Sequence, residues 1–270
     1  MFAFTNRYEI KYLVEATRKA ELRETIGGFF STDPNGDSQG TYVNYSIYFD
    51  SPNYRFYGEK REGDLVRIKP RIRLYRSAPS APPSAVFLEL KARYDRIVEK
   101  RRVPIDLDLA RRLLSRGPLF LSDRELENSV LAEFKYLHDR FALSPVTTVV
   151  YYRTALNGQF QDNVRLTLDE ELHCSLSTTL NVPPGDLIAV VPPTHFIVEL
   201  KFNDRISETL LQKLRYLGME QQTLSKYAMA METSHDYMRE KFLLAGWVSD
   251  RARDDIALEH RERGGDRPIF

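Results

Sequence analysis

Cysteine is nearly absent: Cys174 stands alone in 270 residues. An internal disulfide and a cysteine-built zinc site are therefore excluded, and the composition suits a reducing cytoplasm. Excess charge of one sign is missing too, with 39 Lys and Arg against 38 Asp and Glu for a net +1. That removes the broad basic field with which nucleic-acid binders attract their ligand. No run of about 18 apolar residues exists to cross a bilayer as a helix, and the start, MFAFTNRYEIKY, has no apolar segment of signal-peptide length. Internal repeats and low-complexity stretches are lacking as well. The expectation is a soluble, cytoplasmic protein with enough chain to bury a real core.

What is present is concentrated in Arg67–Arg76, RIKPRIRLYR. Arg67, Lys69, Arg71 and Arg73 occupy alternate positions, with Ile68, Pro70, Ile72 and Leu74 between them. On a β-strand this puts four cations on one face and apolar residues on the other. A solvated face is the ordinary reading of one such strand. Four like charges in a row repel, however, unless an anion lies against them.

The same alternation recurs along the chain. Arg7–Val14, Tyr42–Asp50, Val86–Arg93, Val146–Leu156, Val164–Leu172 and His195–Asn203 read as strands. In Val146–Leu156, Tyr151 and Arg153 share a face; in Val164–Leu172, Arg165, Thr167, Asp169 and Glu171 oppose Val164, Leu166 and Leu168. Arg96–Ile105 is also extended, but its adjacent cations leave its facing open. Helices are expected over Glu15–Phe30, Asp106–Arg116, Ser122–Phe141, Glu208–Leu217 and Ser225–Phe242. Asn157-Gly158 signals a hairpin. Residues 1–242 form the folded unit in this reading, and residues 243–270, rich in charge, form a C-terminal tail that frays or meets a partner.

Glu9/Lys11, Glu89/Lys91 and Glu199/Lys201 are three copies of Glu-x-Lys. Acid and cation share a face, about 7 Å apart by strand rise. Each copy alone reads as a surface ion pair of little worth. Together with Arg71-Ile72-Arg73 they suggest an α+β fold in which a closed antiparallel β-barrel gathers the charged faces around one axis, with helices packed outside. Guanidinium and ammonium groups lining such a tunnel would hold phosphoryl oxygens. The carboxylates among them would hold a hard divalent cation.

An ordered set of segments carries a resemblance: RYEIK at Arg7–Lys11, YFDSP at Tyr48–Pro52, Arg71-Ile72-Arg73, FLELK at Phe87–Lys91, YRTA at Tyr152–Ala155, VRLTLD at Val164–Asp169, VELK at Val198–Lys201 and Ser225-Lys226-Tyr227. Over roughly residues 1–235 the chain resembles the VTC domain, the polyphosphate polymerase domain of the vacuolar transporter chaperone proteins and their bacterial relatives, within the triphosphate tunnel metalloenzymes. The resemblance implies an eight-stranded antiparallel tunnel that binds ATP with Mn²⁺ or Mg²⁺ and transfers the γ-phosphoryl group to a growing polyphosphate chain. It implies Lys11, Arg71, Arg73, Lys91, Arg153, Arg165, Lys201 and Lys226 as catalytic phosphate ligands. Lys100 and Arg102 follow as a further basic pair, and Arg7, Arg67 and Lys69 as further substrate-binding cations. Glu199 matches the metal-binding glutamate, with Glu9, Glu89 and Asp169 as further candidates for metal or for orienting the cations.

Two departures bear on the activity. Hydrolytic members of the superfamily begin Glu-x-Glu-x-Lys, and here Arg7 takes the first position; one acid fewer suits chain binding better than water activation. The eukaryotic proteins add a regulatory domain and a membrane segment, neither of which this sequence carries, so product translocation would fall to a separate membrane protein. The alternatives are a triphosphatase acting on nucleoside or inorganic triphosphate, and a non-catalytic polyphosphate-binding subunit. A nucleic-acid partner is disfavoured by the near-zero net charge and the mixed-sign faces.

Overall fold

The computed structural model describes residues 7–94, 97–160, 163–203 and 205–244. The strands are β1 (Arg7–Glu15), β2 (Phe30–Thr32), β3 (Thr41–Asp50), β4 (Val66–Arg76), β5 (Ala85–Tyr94), β6 (Ile97–Pro104), β7 (Ser144–Gly158), β8 (Arg165–Ser175), β9 (Ile188–Ala189) and β10 (His195–Asn203). The helices are α1 (Lys19–Ile26), α2 (Arg55–Glu62), α3 (Leu107–Arg116), α4 (Asp123–Leu126), α5 (Ser129–Phe141), α6 (Glu208–Tyr216) and α7 (Lys226–Leu244). The tail expected from residue 243 onward lies outside the described residues, except for its first two positions, which end α7. Among the described residues no helix is long and apolar enough to cross a membrane.

One large antiparallel sheet runs in the order β1-β10-β8-β7-β3-β4-β5-β6, with β2 added to β7 and β9 to β8. The main path has the expected eight strands, but it is not a closed ring: β1 and β6 are its two ends. The free edge of β1 is used otherwise, for Gln222 donates to the Lys11 carbonyl at 2.8 Å and Gln221 bridges Tyr12. The sheet nevertheless curls far enough for Lys91 of β5 to reach Glu9 of β1 at 3.2 Å.

The aliphatic faces point outward, as the alternation predicts. Val43, Ile47, Ile72, Leu88 and Leu90 pack against Leu113 of α3 and Phe134 of α5. Leu166, Leu168, Val198 and Leu200 pack against Leu22 and Ile26 of α1 and Leu210 and Leu214 of α6. Burial of this apolar area, worth about 25 cal/mol per Å², turns the charged positions to the concave side. A third cluster closes one end of that concave side: Tyr48, Val149, Leu172, Cys174 and Ile197 meet Tyr227 and Ala230 of α7.

Local chemistry moves several boundaries. The expected helix over Glu15–Phe30 stops at Ile26, since Phe30 pairs with Gly158 to start β2. The expected helix over Ser122–Phe141 is two helices, with Ser122 and Glu125 forming a capping box on α4 and Asn128 capping α5 through the Val130 amide at 3.0 Å. Asn157-Gly158 is not a two-residue turn. Both residues continue β7 because β2 pairs with them, and the reversal comes later, with the Gly158 amide bonded to the Val164 carbonyl at 2.9 Å. Helix α2 has no periodicity to announce it; the buried Asp50 carboxylate builds it by accepting from the amides of Phe56 and Tyr57 at 2.9 and 3.0 Å. Pro70 is tolerated within β4 because pairing with β3 ends at Arg71, which leaves Pro70 facing β5 only.

Candidate functional site

The concave side holds a cavity of about 280 Å³ lined by Glu9, Lys11, Lys69, Arg71, Arg73, Lys91, Arg153, Glu199, Lys201 and Lys226, among others. Its deepest layer centres on two buried carboxylates. Arg153 clamps Asp169 through two bonds of 2.6 Å and reaches Glu199 at 3.2 Å. Lys226 lies 2.5 Å from Glu199 and 2.6 Å from Asp169. Lys201 meets Glu199 at 2.8 Å, and Lys11 approaches it at 3.9 Å. Four cations thus share two acids.

Helix α7 delivers Lys226. The Ser225 hydroxyl accepts from the Ala228 amide at 3.3 Å, an N-cap, and also from Lys69 at 2.7 Å. Tyr227, the next residue, stacks on Tyr48 with ring centroids 4.9 Å apart and donates to Asp50. This contact pins the start of the helix to the end of β3. A cation in a first turn opposes the helix dipole, and here Asp169 and Glu199 meet it.

Around that layer stands a second ring of cations. Arg71 makes bonds of 2.9 and 2.6 Å to Glu89 and one of 3.0 Å to the Tyr48 hydroxyl. Arg73 rests on hydroxyls, Ser46 at 3.1 Å and Tyr151 at 2.7 Å. Lys91 and Lys11 both bind Glu9, at 3.2 and 3.0 Å. The three Glu-x-Lys copies therefore behave differently. Glu9/Lys11 and Glu199/Lys201 pair within the copy, whereas Glu89 turns to Arg71 and Lys91 to Glu9.

These neighbours set the protonation states. Burial would raise the Glu199 carboxyl, but Lys201, Lys226 and Lys11 outweigh it and hold it well below the usual range. Glu89 is likewise pulled down to about 2, burial being overcome by Arg71, Arg73 and Lys100. Burial pushes Lys91 down to about 8 against the pull of Glu9. Lys69 is pushed well below the ordinary lysine value by burial and by Lys91 and Lys11.

Not every expected ligand converges here. Lys100, Arg102 and Arg165 line a separate cavity of about 700 Å³. Lys100 and Arg102 stand 3.7 and 4.0 Å from the second oxygen of Glu89, and Arg165 pairs with the buried Asp33. The facing of β6 is settled by its register: Lys100 lies opposite Lys91 and Arg102 opposite Glu89, while Arg101 turns outward to Glu133 of α5. Arg67 lies at the outer rim of the first cavity, in register with Arg93. The side chain of Arg7 lies outside the described set.

Ser46 and Lys60 carry no role in the sequence reading, and Tyr48, Tyr151 and Ser225 enter it only as members of a strand face or a motif, yet all five line the first cavity or hold its arginines. Face parity was the available signal for three of them, since Ser46 and Tyr48 alternate within β3 and Tyr151 sits two residues from Arg153.

For a metal, the donor set is oxygen only. Among the described residues no three His, Cys, Asp or Glu side chains are grouped to hold an ion. Glu199 and, across Lys11, Glu9 are the carboxylates that line the cavity, while both oxygens of Asp169 are engaged by Arg153 and Lys226. A hard ion such as Mg²⁺ needs only one or two carboxylates beside substrate phosphates. Glu89 stands apart, committed to Arg71.

The family model described as VTC domain matches residues 6–235. No curated protein matches the sequence. Among solved structures, the PH1819 protein of Pyrococcus horikoshii OT3 is similar, with 18% identity, a TM-score of 0.46, and coverage of 84% of this chain and 98% of that one. A Bacillus halodurans protein assigned provisionally to the adenylate cyclases shares 15% identity at a TM-score of 0.49, covering 82% and 95%. The capping-enzyme triphosphatase of Mimivirus shares 12% identity at a TM-score of 0.34, covering 79% and 88%.

Proposed function

Since the chain belongs to the VTC-domain family, we propose that it is a metal-dependent polyphosphate polymerase, moving the γ-phosphoryl group of ATP onto the end of a growing inorganic polyphosphate. The observation that carries this reading is the surplus of cations facing one another in the first cavity. Among the described residues neither Lys69 nor Arg73 has a carboxylate partner, and Lys11, Arg153, Lys201 and Lys226 crowd onto Glu199 and Asp169. Desolvated like charges are costly until an anion offsets them. A linear phosphate chain supplies anionic oxygens along its whole length.

The residues divide the work. Arg71 and Arg73 present planar donors to non-bridging phosphoryl oxygens, a geometry that suits bidentate binding. Lys11, Lys91, Lys201 and Lys226 act as point charges against the oxygens on which charge builds during transfer. Arg153, fixed by Asp169, serves the same role from β7. The bond between the γ-phosphorus and the β-bridging oxygen breaks, a bond from the acceptor's terminal oxygen forms, and ADP departs. That acceptor oxygen is already an anion, so no general base is required. Magnesium or manganese held by Glu199, with Asp169 and Glu9 near, would offset negative charge on the phosphates when bound.

The test is to incubate the protein with ATP and Mg²⁺ or Mn²⁺ and resolve the products on a gel stained for polyphosphate. A ladder of long chains with ADP released is expected. Free phosphate without a ladder would replace this reading with a triphosphatase.

A further inference from the structure

Phosphate chemistry gives no reason for the aromatic wall of the second cavity. Tyr42 of β3, Tyr75 of β4 and Phe87 of β5 follow one another across three neighbouring strands, with ring centroids 5.7 and 6.0 Å apart. All three are only half-buried and line the cavity of about 700 Å³. Opposite and beside them are Lys100, Arg102 and Arg165, and the Arg102 guanidinium lies 4.4 Å over the Phe87 ring.

The outer rim of the first cavity differs. It carries the cations Lys60, Arg67, Lys69, Lys91 and Arg93. The tyrosines that also line that cavity, Tyr48, Tyr151 and Tyr227, are buried and engaged through their hydroxyls by Arg71, Arg73 and Asp50 rather than offering an open ring face. A phosphate chain is served by such a rim. An aromatic face serves it poorly, because the face of the ring is the negative end of its quadrupole. A nucleobase has the opposite preference: it gains from stacking on aromatic planes and from a guanidinium lying flat nearby.

The two cavities meet at Arg73. Its guanidinium lines the first, yet stands 5.8 Å from the Tyr75 ring and 6.0 Å from the Tyr151 ring. A phosphate held by Arg73 would therefore have its substituent directed to one side or the other of a single residue.

We propose that the second cavity is the nucleoside subsite of the phosphate donor: the base stacks on the wall of Tyr75 and Phe87, Lys100, Arg102 and Arg165 bind the phosphates nearest the sugar, and the phosphate-only acceptor occupies the cationic rim of the first cavity. This rests on the reading of the site as one that takes ATP. It also assigns a direction to the reaction, with donor and acceptor entering from opposite sides of Arg73.

The experiment compares two ligands that share phosphates but not a base. Binding of ATP and of inorganic tripolyphosphate is titrated calorimetrically into the wild type, Tyr75→Leu, Phe87→Leu and the conservative Tyr75→Phe, with melting temperatures recorded for each. Loss of one stacking partner is expected to weaken ATP about tenfold. Tripolyphosphate should be unaffected, and Tyr75→Phe should bind both ligands like the wild type. Equal weakening of both ligands, or ATP binding untouched by either leucine substitution, overturns the subsite. A wild type that binds ATP but makes no polymer would remove the polymerase reading alone, and the nucleoside subsite would stand.

Discussion

Glu89 shows how one carboxylate can serve two cavities. One oxygen holds Arg71 in the first, and the other faces Lys100 and Arg102 in the second. Its side chain is fully buried, and its folded-state value of about 2 lies below the ordinary 4.5. A lowered carboxyl stabilises the fold fully above the unfolded value and loses that contribution as pH falls through the folded one. Between about pH 4.5 and 2, therefore, the wild type should lose stability that Glu89→Gln never had. At neutral pH the variant should be less stable by about 3 kcal/mol, since Arg71 is left buried without its counter-ion. Urea midpoints measured across that pH range check both statements. The role was half legible: Glu-x-Lys drew attention to Glu89 but suggested Lys91 as its partner. Cross-strand register, not spacing along the strand, decides which cation a carboxylate meets, and Arg71 lies directly opposite.

Among the elements, β8 departs most instructively from its sequence pattern. Strict alternation puts Glu171 on the same face as Arg165, Thr167 and Asp169. In the structure Asp169 is buried on the concave side, Glu171 is exposed, and Leu172 and Cys174 take up the inward positions. A bulge opposite Val150–Tyr152 inserts the extra residue, with Glu171 at φ 50°. It lets one strand contribute a charged wall at one end and part of an apolar plug at the other, a change of parity that no uniform period can encode. Because the left-handed region suits glycine, Glu171→Gly should be neutral or stabilising by up to about 1 kcal/mol. Glu171→Val should be destabilised by about 1–3 kcal/mol. Chemical denaturation of the two variants is the check; equal loss in both would mean that the backbone conformation there is not what matters.

Over the whole molecule, the charged faces gather on the inside of one curled sheet because the aliphatic faces have helices to pack against. That much was readable from the strands of alternating pattern, whereas the number of strands and most of the first-cavity cations came from the resemblance to the VTC domain. The strand order was not readable at all, the expected closed barrel being an open path that ends at β1 and β6. The seam was not: β1 takes Gln221 and Gln222 on its outer edge, and nothing in a polar stretch of that kind announces a strand partner. Nor was the division of the cations between two cavities, which depends on how far each strand is offset from its neighbour.

The proposed function requires the first cavity to bind a linear phosphate. Calorimetric titration of inorganic tripolyphosphate into the wild-type protein tests it without requiring turnover. One bound molecule per chain is expected, with affinity that falls as salt is raised and is lost in Arg71→Ala. Absence of binding at low ionic strength, or binding that Arg71→Ala leaves intact, would remove the phosphate chain as the ligand of this cavity.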